Sequence, residues 1–371
     1  MSFPTLGVIG AGQLARMMAA PAAELGIKML LYASDSQDSA AQIVEHHVGL
    51  PSEREKVLAF AQQCDVVTFE HELVPQSVIK ALEQSGVKVY PRSDTFIFSQ
   101  NKIEMRKKMQ ELNLPNPNWE SFDGGSTSLS FPLIAKTITG GYDGKGVFVI
   151  NSEDELHQLH ASIGSTLLLE EKLDFDEELA IMVARSPHGQ ASTWTITSTL
   201  QQDGICTTTI TPAPELLPSL AEEASHIALK IAEGVNLVGV MAVELFRVGT
   251  KLYINELAMR PHNSGHWTIE GSITSQFEQH IRAVLDLPLG STDLRAPWIV
   301  MGNILGGEKE DMYRPYLHLM ARTPGLKFHH YRKEVRPGRK IGHVTMAGEN
   351  LLELRQEVEH ARLYMAGESD E

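Results

Sequence analysis

The chain has 371 residues, 42% hydrophobic and 21% charged, a composition of soluble globular proteins at a length that calls for two or three domains. Its net charge of −15 argues against nucleic acid or an anionic membrane as the main partner. Two cysteines, Cys64 and Cys206, are too few for a disulfide scaffold or zinc cluster; without an apolar run of membrane-spanning length or a secretory signal, the expectation is a reducing cytoplasm.

The first segment, TLGVIGAGQLARMMAAPAAELGIKMLLYASD, reads as strand, glycine turn, helix, strand. Gly10, Gly12 and Ala15 satisfy the loose G-x-G-x-x-A dinucleotide fingerprint, and Asp35 falls near the place of a ribose-binding acid. Alone, this points to a nicotinamide-dependent dehydrogenase, although any phosphate ligand suits a helix N-terminus. A helix around 53–63 leads to CDVVTFEHELVP, a buried strand running out into Glu70 and Glu72. Doubly wound sheets bind ligands at such strand ends. Glu70 is therefore a candidate ribose contact, beside the alternative of a plain surface acid. A short strand at 87–91 completes a small α/β unit over 1–99.

SQNKIEMRKKMQELNLPNPNW predicts one helix, capped by Ser99 and ending before Pro115, with Arg106, Lys107 and Lys108 on a solvated face. In FPLIAKTITGGYDGKGVFVI, Lys136 stands in an apolar strand, where a charged ammonium needs a counter-anion. The glycine-rich tip that follows is either an ordinary hairpin or a loop whose N–H groups wrap phosphate oxygens. TLLLEEKLDFDEELAIMVAR reads as strand, short connection, strand, and residues 222–233 as an amphipathic helix.

The densest block runs over 239–270, GVMAVELFRVGTKLYINELAMRPHNSGHWTIE. Two apolar strands each carry one acid, Glu244 and Glu256. A three-residue loop over 249–251 would set these acids directly opposite, about 5 Å apart at Cβ. They are either two exposed glutamates or a carboxylate pair that shares a hard cation such as Mg²⁺. The polar run RPHNSGH offers Arg260, His262, Asn263, Ser264 and His266; His262 suits proton transfer near neutral pH. Beyond a helix ending near 287–288, a strand WIVMGNILG precedes a basic run over 327–340 and IGHVTMAG.

N-E-x-A-x-R-P-H-N-S-G-H-x-T-I-E resembles the 5-(carboxyamino)imidazole ribonucleotide synthetase family, ATP-grasp ligases that carboxylate aminoimidazole ribonucleotide with ATP and bicarbonate. G-x-G-Q-L-x-R-M, G-G-Y-D-G-K-G and K-E-x-R-P-G-R-K-x-G-H match that family too. The resemblance implies an α/β fold, α+β in its ATP-binding part. It comprises an N-terminal Rossmann-like doubly wound domain (1–99), an ATP-grasp domain (100–290, lid about 116–178) and a small C-terminal domain (291–371). ATP would contact Lys102, Lys136, the lid residues Gly141, Tyr142, Asp143, Gly144, Lys145 and Gly146, the adenine-side Glu170, Glu171, Lys172 and Leu173, the ribose acid Glu178, and Asn255 with Glu256. One or two Mg²⁺ would sit on Glu244 and Glu256.

The ribonucleotide would meet Gln13, Leu14, Glu70, Tyr142, Arg260, His262 and Asn263, with Lys333, Arg339 and Lys340 on its 5′-phosphate. Arg260, His262, Asn263 and Lys145 are the implied catalytic residues, and the family is homodimeric. Ala15, His71, Leu73, Lys102 and Gln201 depart from the family pattern. Rival readings are the dehydrogenase, another ATP-grasp ligase such as the formate-using glycinamide ribonucleotide transformylase, and a non-catalytic nucleotide-binding protein.

Overall fold

The computed structural model describes residues 3–140, 146–307 and 311–368. LGVI, MLLYA and VVTF are unbroken apolar stretches, the pattern of strands covered on both faces. They lie in a five-stranded parallel sheet ordered His46–Val48, Lys28–Ala33, Thr5–Ile9, Val66–Phe69, Lys88–Val89. The strand order reverses between Thr5–Ile9 and Val66–Phe69. The crevice beyond their carboxyl ends receives residues 10–15 and Glu70.

The helix expected from Ser99 is two helices, Ser93–Gln100 and Lys102–Glu111. Asn101 separates them in an extended conformation, and its side chain accepts from the N–H groups of Ile103 and Glu104. An asparagine oxygen that reaches two otherwise orphaned donors caps a new helix better than a serine two residues earlier does.

A four-stranded antiparallel sheet follows, ordered Trp119–Phe122, Leu167–Glu171, Leu133–Thr137, Val147–Ile150. The helix Glu153–Ile163, capped by Ser152 and closed by left-handed Gly164, buries Leu156 among the apolar residues of this small sheet. A larger antiparallel sheet runs Lys251–Ala258, Gly239–Val248, Glu177–Arg185, Thr197–Gln202, Ile205–Thr211, Trp298–Leu305, Lys340–Gly348, Lys327–His330. The last three strands belong to the C-terminal stretch, which joins the central sheet through the pairing of Ile205–Thr211 with Trp298–Leu305. The helix Pro218–Gly234 packs Leu220, Ala224, Ile227 and Ile231 against Leu179, Ile181 and Leu245. Phe69 and Phe96 of the N-terminal part join the same core. Each such buried apolar side chain contributes about 1.5–3 kcal/mol, which ties the parallel sheet to the antiparallel one.

Candidate active site

The hairpin that carries Glu244 and Glu256 closes more tightly than expected. Val248 pairs with Lys251, leaving Gly249 and Thr250 as a two-residue turn with Gly249 at φ +59°. Continued regularly, that register would face Glu244 with Asn255 and turn Glu256 to the other side of the sheet. A β-bulge beside Glu244 takes up Asn255 as the extra residue and sets Glu256 opposite Glu244. The expected three-residue loop is thus corrected, while the opposition of the acids holds.

Burial, Glu256 and Glu178 push the Glu244 carboxyl up to about 7. The ammonium of Lys102 lies 3.0 Å from Glu256 Oε1 and 3.3 Å from the Gly140 carbonyl. Two opposed carboxylates, both partly exposed, are an all-oxygen donor set that fits a hard divalent cation retaining water or phosphate ligands. Among the described residues no three or more His, Cys, Asp or Glu side chains gather into a closed metal cage.

Lys136 has the counter-anion that its burial demands. Its ammonium is 2.8 Å from Glu170 Oε2 and 3.1 Å from Asn255 Oδ1. Glu170 Oε1 is in turn 2.6 Å from Arg106 Nε. Burial pushes the Glu170 carboxyl upward, but Arg106 and Lys136 more than offset this and hold it below the usual carboxylate value. Arg106 therefore corrects the expectation of a solvated face: it is fully buried, whereas Lys107 and Lys108 make surface pairs one turn away. The signal lay in its spacing, three residues from both Ile103 and Met109 on the apolar stripe of the helix.

Glu178 lies at the edge of a cavity of ≈ 630 Å³. Burial raises its pKa, partly countered by a hydrogen bond with Gln201, one of the positions that depart from the family pattern. Glu171 accepts from the backbone and side-chain amides of Asn118; Leu173 is half-buried and Lys172 exposed. Gly146 has φ +78°, and a Cβ there would lie 2.5 Å from Thr137 Oγ1. The lid positions Gly141, Tyr142, Asp143, Gly144 and Lys145 lie outside the described residues.

The RPHNSGH loop is pinned from beneath by a residue that the sequence reading missed. Gln276, completely buried, accepts from His262 N–H and donates to the His262 carbonyl. A side chain on Gly265 would meet it at 2.6 Å. Its position after Ser275, the cap of the next helix, disguised it as a first-turn polar residue.

His262 Nδ1 accepts from Ser264 N–H and contacts its hydroxyl at 2.9 Å. This places the ring proton on Nε2, 3.6 Å from Glu244 Oε1. Burial, then the charges of Arg260 and Lys340, hold His262 well below the usual imidazole pKa. The ring is thus a neutral neighbour of Glu244 at pH 7.

Arg260 Nε is 2.8 Å from Glu72 Oε1, an ion pair without hydrogen-bond geometry. Asn263 and the buried Asn303 exchange amide hydrogen bonds of 2.8 and 2.7 Å. Asn303 stands in the apolar strand WIVMGNILG, and a lone amide in such a strand was a legible signal. Lys340 opens the strand Lys340–Gly348, and its charge reaches both His262 and Glu244. Arg339 donates to the Glu334 carbonyl, and the Lys333 ammonium lies 6.0 Å from the Tyr331 ring. The Tyr331 carbonyl accepts from Ser39, and the Arg332 carbonyl from Gln42. The basic run consequently docks on the N-terminal unit.

At the glycine turn, Glu70 accepts from Gly12 N–H at 2.8 Å and Ala15 N–H at 3.0 Å. Its carboxylate occupies the helix N-terminus that a dinucleotide would fill with pyrophosphate. A Cβ on Gly10 or Gly12 would lie 2.3 Å from Glu70 atoms. These glycines make room for an internal carboxylate, which removes the structural basis of the dehydrogenase reading. Gln13 is half-buried, and Leu14 is 6% exposed within a core that includes Phe277 and Ile281. The expectation that the Leu14 side chain faces a ligand is therefore corrected.

Known proteins resemble this chain along nearly its whole length. Residues 107–277 match the ATP-grasp domain family, 3–100 the ribonucleotide synthetase preATP-grasp domain, and 299–357 the phosphoribosylaminoimidazole carboxylase C-terminal domain. The chain is 39% identical to the N5-carboxyaminoimidazole ribonucleotide synthase of Mycobacterium tuberculosis, over 98% of this chain and 88% of that one. It superposes on an ADP complex of N5-carboxyaminoimidazole ribonucleotide synthetase with TM-score 0.91 at 31% identity, covering 100% and 99% of the two chains. The Aspergillus clavatus enzyme in complex with ADP and 5-aminoimidazole ribonucleotide gives TM-score 0.88 at 30% identity, covering 98% of each chain. Fold and site define an ATP-grasp carbon–nitrogen ligase. Within that class, the chain belongs to the N5-carboxyaminoimidazole ribonucleotide synthase family.

Proposed function

We propose that this chain carboxylates the exocyclic amine of 5-aminoimidazole ribonucleotide with ATP and bicarbonate, in de novo purine biosynthesis. One observation carries the proposal: opposed Glu244 and Glu256 stand beside Lys102 and Lys136, with the charge of Lys340 and the loop of Arg260 and His262 at the same carboxylates.

Bicarbonate is a poor electrophile, so a leaving group must be installed on it. A bicarbonate oxygen attacks the γ-phosphorus of ATP and ADP departs, giving carboxyphosphate. Its C–O bond then breaks to CO₂ and phosphate, and the amine nitrogen adds to CO₂ with loss of a proton. Phosphoryl transfer of this kind depends on positioning and charge neutralisation. Lys136 and Lys102 supply cations to the phosphates, the backbone of residues 170–173 flanks the adenine while the Glu170 side chain stays on Arg106 and Lys136, and Glu178 holds the ribose. Glu244 and Glu256 would hold one or two Mg²⁺, which when bound neutralise phosphate charge. By resemblance, Lys145 and the rest of segment 141–146 cover the γ-phosphate.

Arg260 exchanges Glu72 for bicarbonate, a planar anion suited to a guanidinium fork. His262, neutral at pH 7, is the loop base available to the amine proton once its tautomer exchanges. Asn263 orients the acceptor ring. Gln13 meets the ribonucleotide, Glu70 takes a ribose hydroxyl on the lone pairs that Gly12 and Ala15 N–H leave free, and Lys333, Arg339 and Lys340 meet the 5′-phosphate. Retention of Cys64 and Cys206 as thiols fits a cytoplasmic location. Among the described residues no helix is long and apolar enough to cross a membrane. By family resemblance the assembly is a homodimer, which sedimentation would test.

The deciding assay is ADP release, expected only when ATP, bicarbonate and aminoimidazole ribonucleotide are all present. Release with formate and glycinamide ribonucleotide instead, or tight binding of NAD, would overturn the proposal.

A further inference from the structure

We infer that Arg106 is a positioning residue of the nucleotide site, setting the charge that Lys136 can offer and fixing the bulge that opposes the two glutamates. The inference rests on the reading of Lys136 as a phosphate contact. Three ionic side chains share one dry space: Arg106 is 0% exposed, Glu170 3% and Lys136 7%. Glu170 divides its oxygens, Oε1 to Arg106 at 2.6 Å and Oε2 to Lys136 at 2.8 Å. One carboxylate between two cations leaves a net charge of one positive unit. Arg106 lies wholly inside the protein, so Lys136 is the member through which that charge reaches a ligand. Without Arg106, Glu170 and Lys136 would form a neutral pair, and a polyphosphate would meet no net cation there.

The remaining nitrogens of the same guanidinium have a second task. Nη1 donates to the Ile254 carbonyl at 2.6 Å and to Asn116 Oδ1 at 3.1 Å; Nη2 donates to the Asn255 carbonyl at 2.8 Å. Asn255 is the bulged residue itself and Ile254 the one before it, where the strand turns Glu256 toward Glu244. A planar fork reaches a carboxylate on one side and two successive carbonyls on the other, whereas a lysine ammonium has neither the donors nor the span. Arg106 thus joins the small sheet that carries Lys136 and Glu170 to the hairpin that carries the acids.

Calorimetric titration with ADP, without divalent cation and then across a Mg²⁺ series, tests both tasks, with melting curves as a check on folding. Arg106→Met is expected to weaken metal-free ADP binding about tenfold. Adding Glu170→Gln to that variant returns the net charge to one positive unit and should recover affinity to within about threefold of wild type. Glu170→Gln alone, which leaves two positive units, should bind ADP more tightly than wild type. Arg106→Lys keeps the charge and should keep metal-free affinity, while raising the Mg²⁺ needed for half-maximal binding about tenfold. A merely structural arginine predicts no recovery in the double variant, because the Ile254 and Asn255 carbonyls remain unpaired in it. Unchanged affinity in Arg106→Met, or no recovery on adding Glu170→Gln, overturns the inference. If Arg106→Met does not fold, a Glu170→Gln protein that binds no better than wild type overturns it instead. Failure of the wild type itself to bind ADP would remove the nucleotide reading, a distinct outcome.

Discussion

Glu244→Gln should stabilise the protein in the absence of divalent cations while abolishing its activity. The Glu244 carboxyl is pushed from 4.5 to about 7 by burial and by Glu256 and Glu178. That rise corresponds to about 3.4 kcal/mol, at roughly 1.36 kcal/mol for each tenfold change in acidity. The side chain retains 32% exposure, so solvent screens part of this and about 1–2 kcal/mol is the expected effect. The sign follows from proton counts. Between pH 4.5 and 7 the folded chain binds a proton that the unfolded chain has released, so rising pH through this window penalises the folded state. Above pH 7 the full penalty is present, and below pH 4.5 it is absent. Glutamine carries no such penalty. Urea denaturation with EDTA at pH 8 should therefore show Glu244→Gln more stable than wild type by about 1–2 kcal/mol, with the difference vanishing by pH 4.5. Equal or lower stability at pH 8 would refute the reasoning, because it would mean that burial and the neighbouring carboxylates together do not penalise the Glu244 charge.

Other outcomes follow from the same geometry. In Gly12→Ala the new methyl would lie 2.3 Å from Glu70 Oε1, so the carboxylate must leave the helix N-terminus. A loss of about 1–3 kcal/mol in denaturant unfolding is expected, without gain of NAD binding. Gln276→Leu keeps the volume but strands His262 N–H and C=O. Its kcat/KM should fall at least about tenfold, with ADP affinity near that of wild type, as titration would show. His280, held between Thr68 and Val240 N–H, has its pKa lowered to about 3 by burial. Its stabilising contribution is complete above pH 6.5 and declines as pH falls toward 3. By pH 5 about 2 kcal/mol should be lost relative to pH 7.5, and His280→Gln should flatten the denaturation profile by that amount.

Much of this protein is written in local patterns. The unbroken apolar runs around 5–9, 28–33 and 66–69 dictate buried parallel strands, because only strands covered on both faces tolerate such runs. Glu244, Glu256 and Lys136 stood out because an ionisable group in an apolar strand needs a partner or a task. The RPHNSGH run, being long and chemically particular, was legible without any contact information. What the residues could not express locally was register and company. A two-residue turn plus a bulge and a three-residue loop both bring Glu244 opposite Glu256, and only the tertiary pairing decides between them. Arg106 looks like any helical arginine until Glu170, from a strand 64 positions later, enters its shell. Gln276 becomes a support only when its helix passes beneath His262, and the G-x-G turn reads as a phosphate cradle until Glu70 is seen inside it. Hydrophobic periodicity is a property of neighbours along the chain. The partner of a buried charge is chosen by packing between distant segments, and so it appears only in the folded molecule.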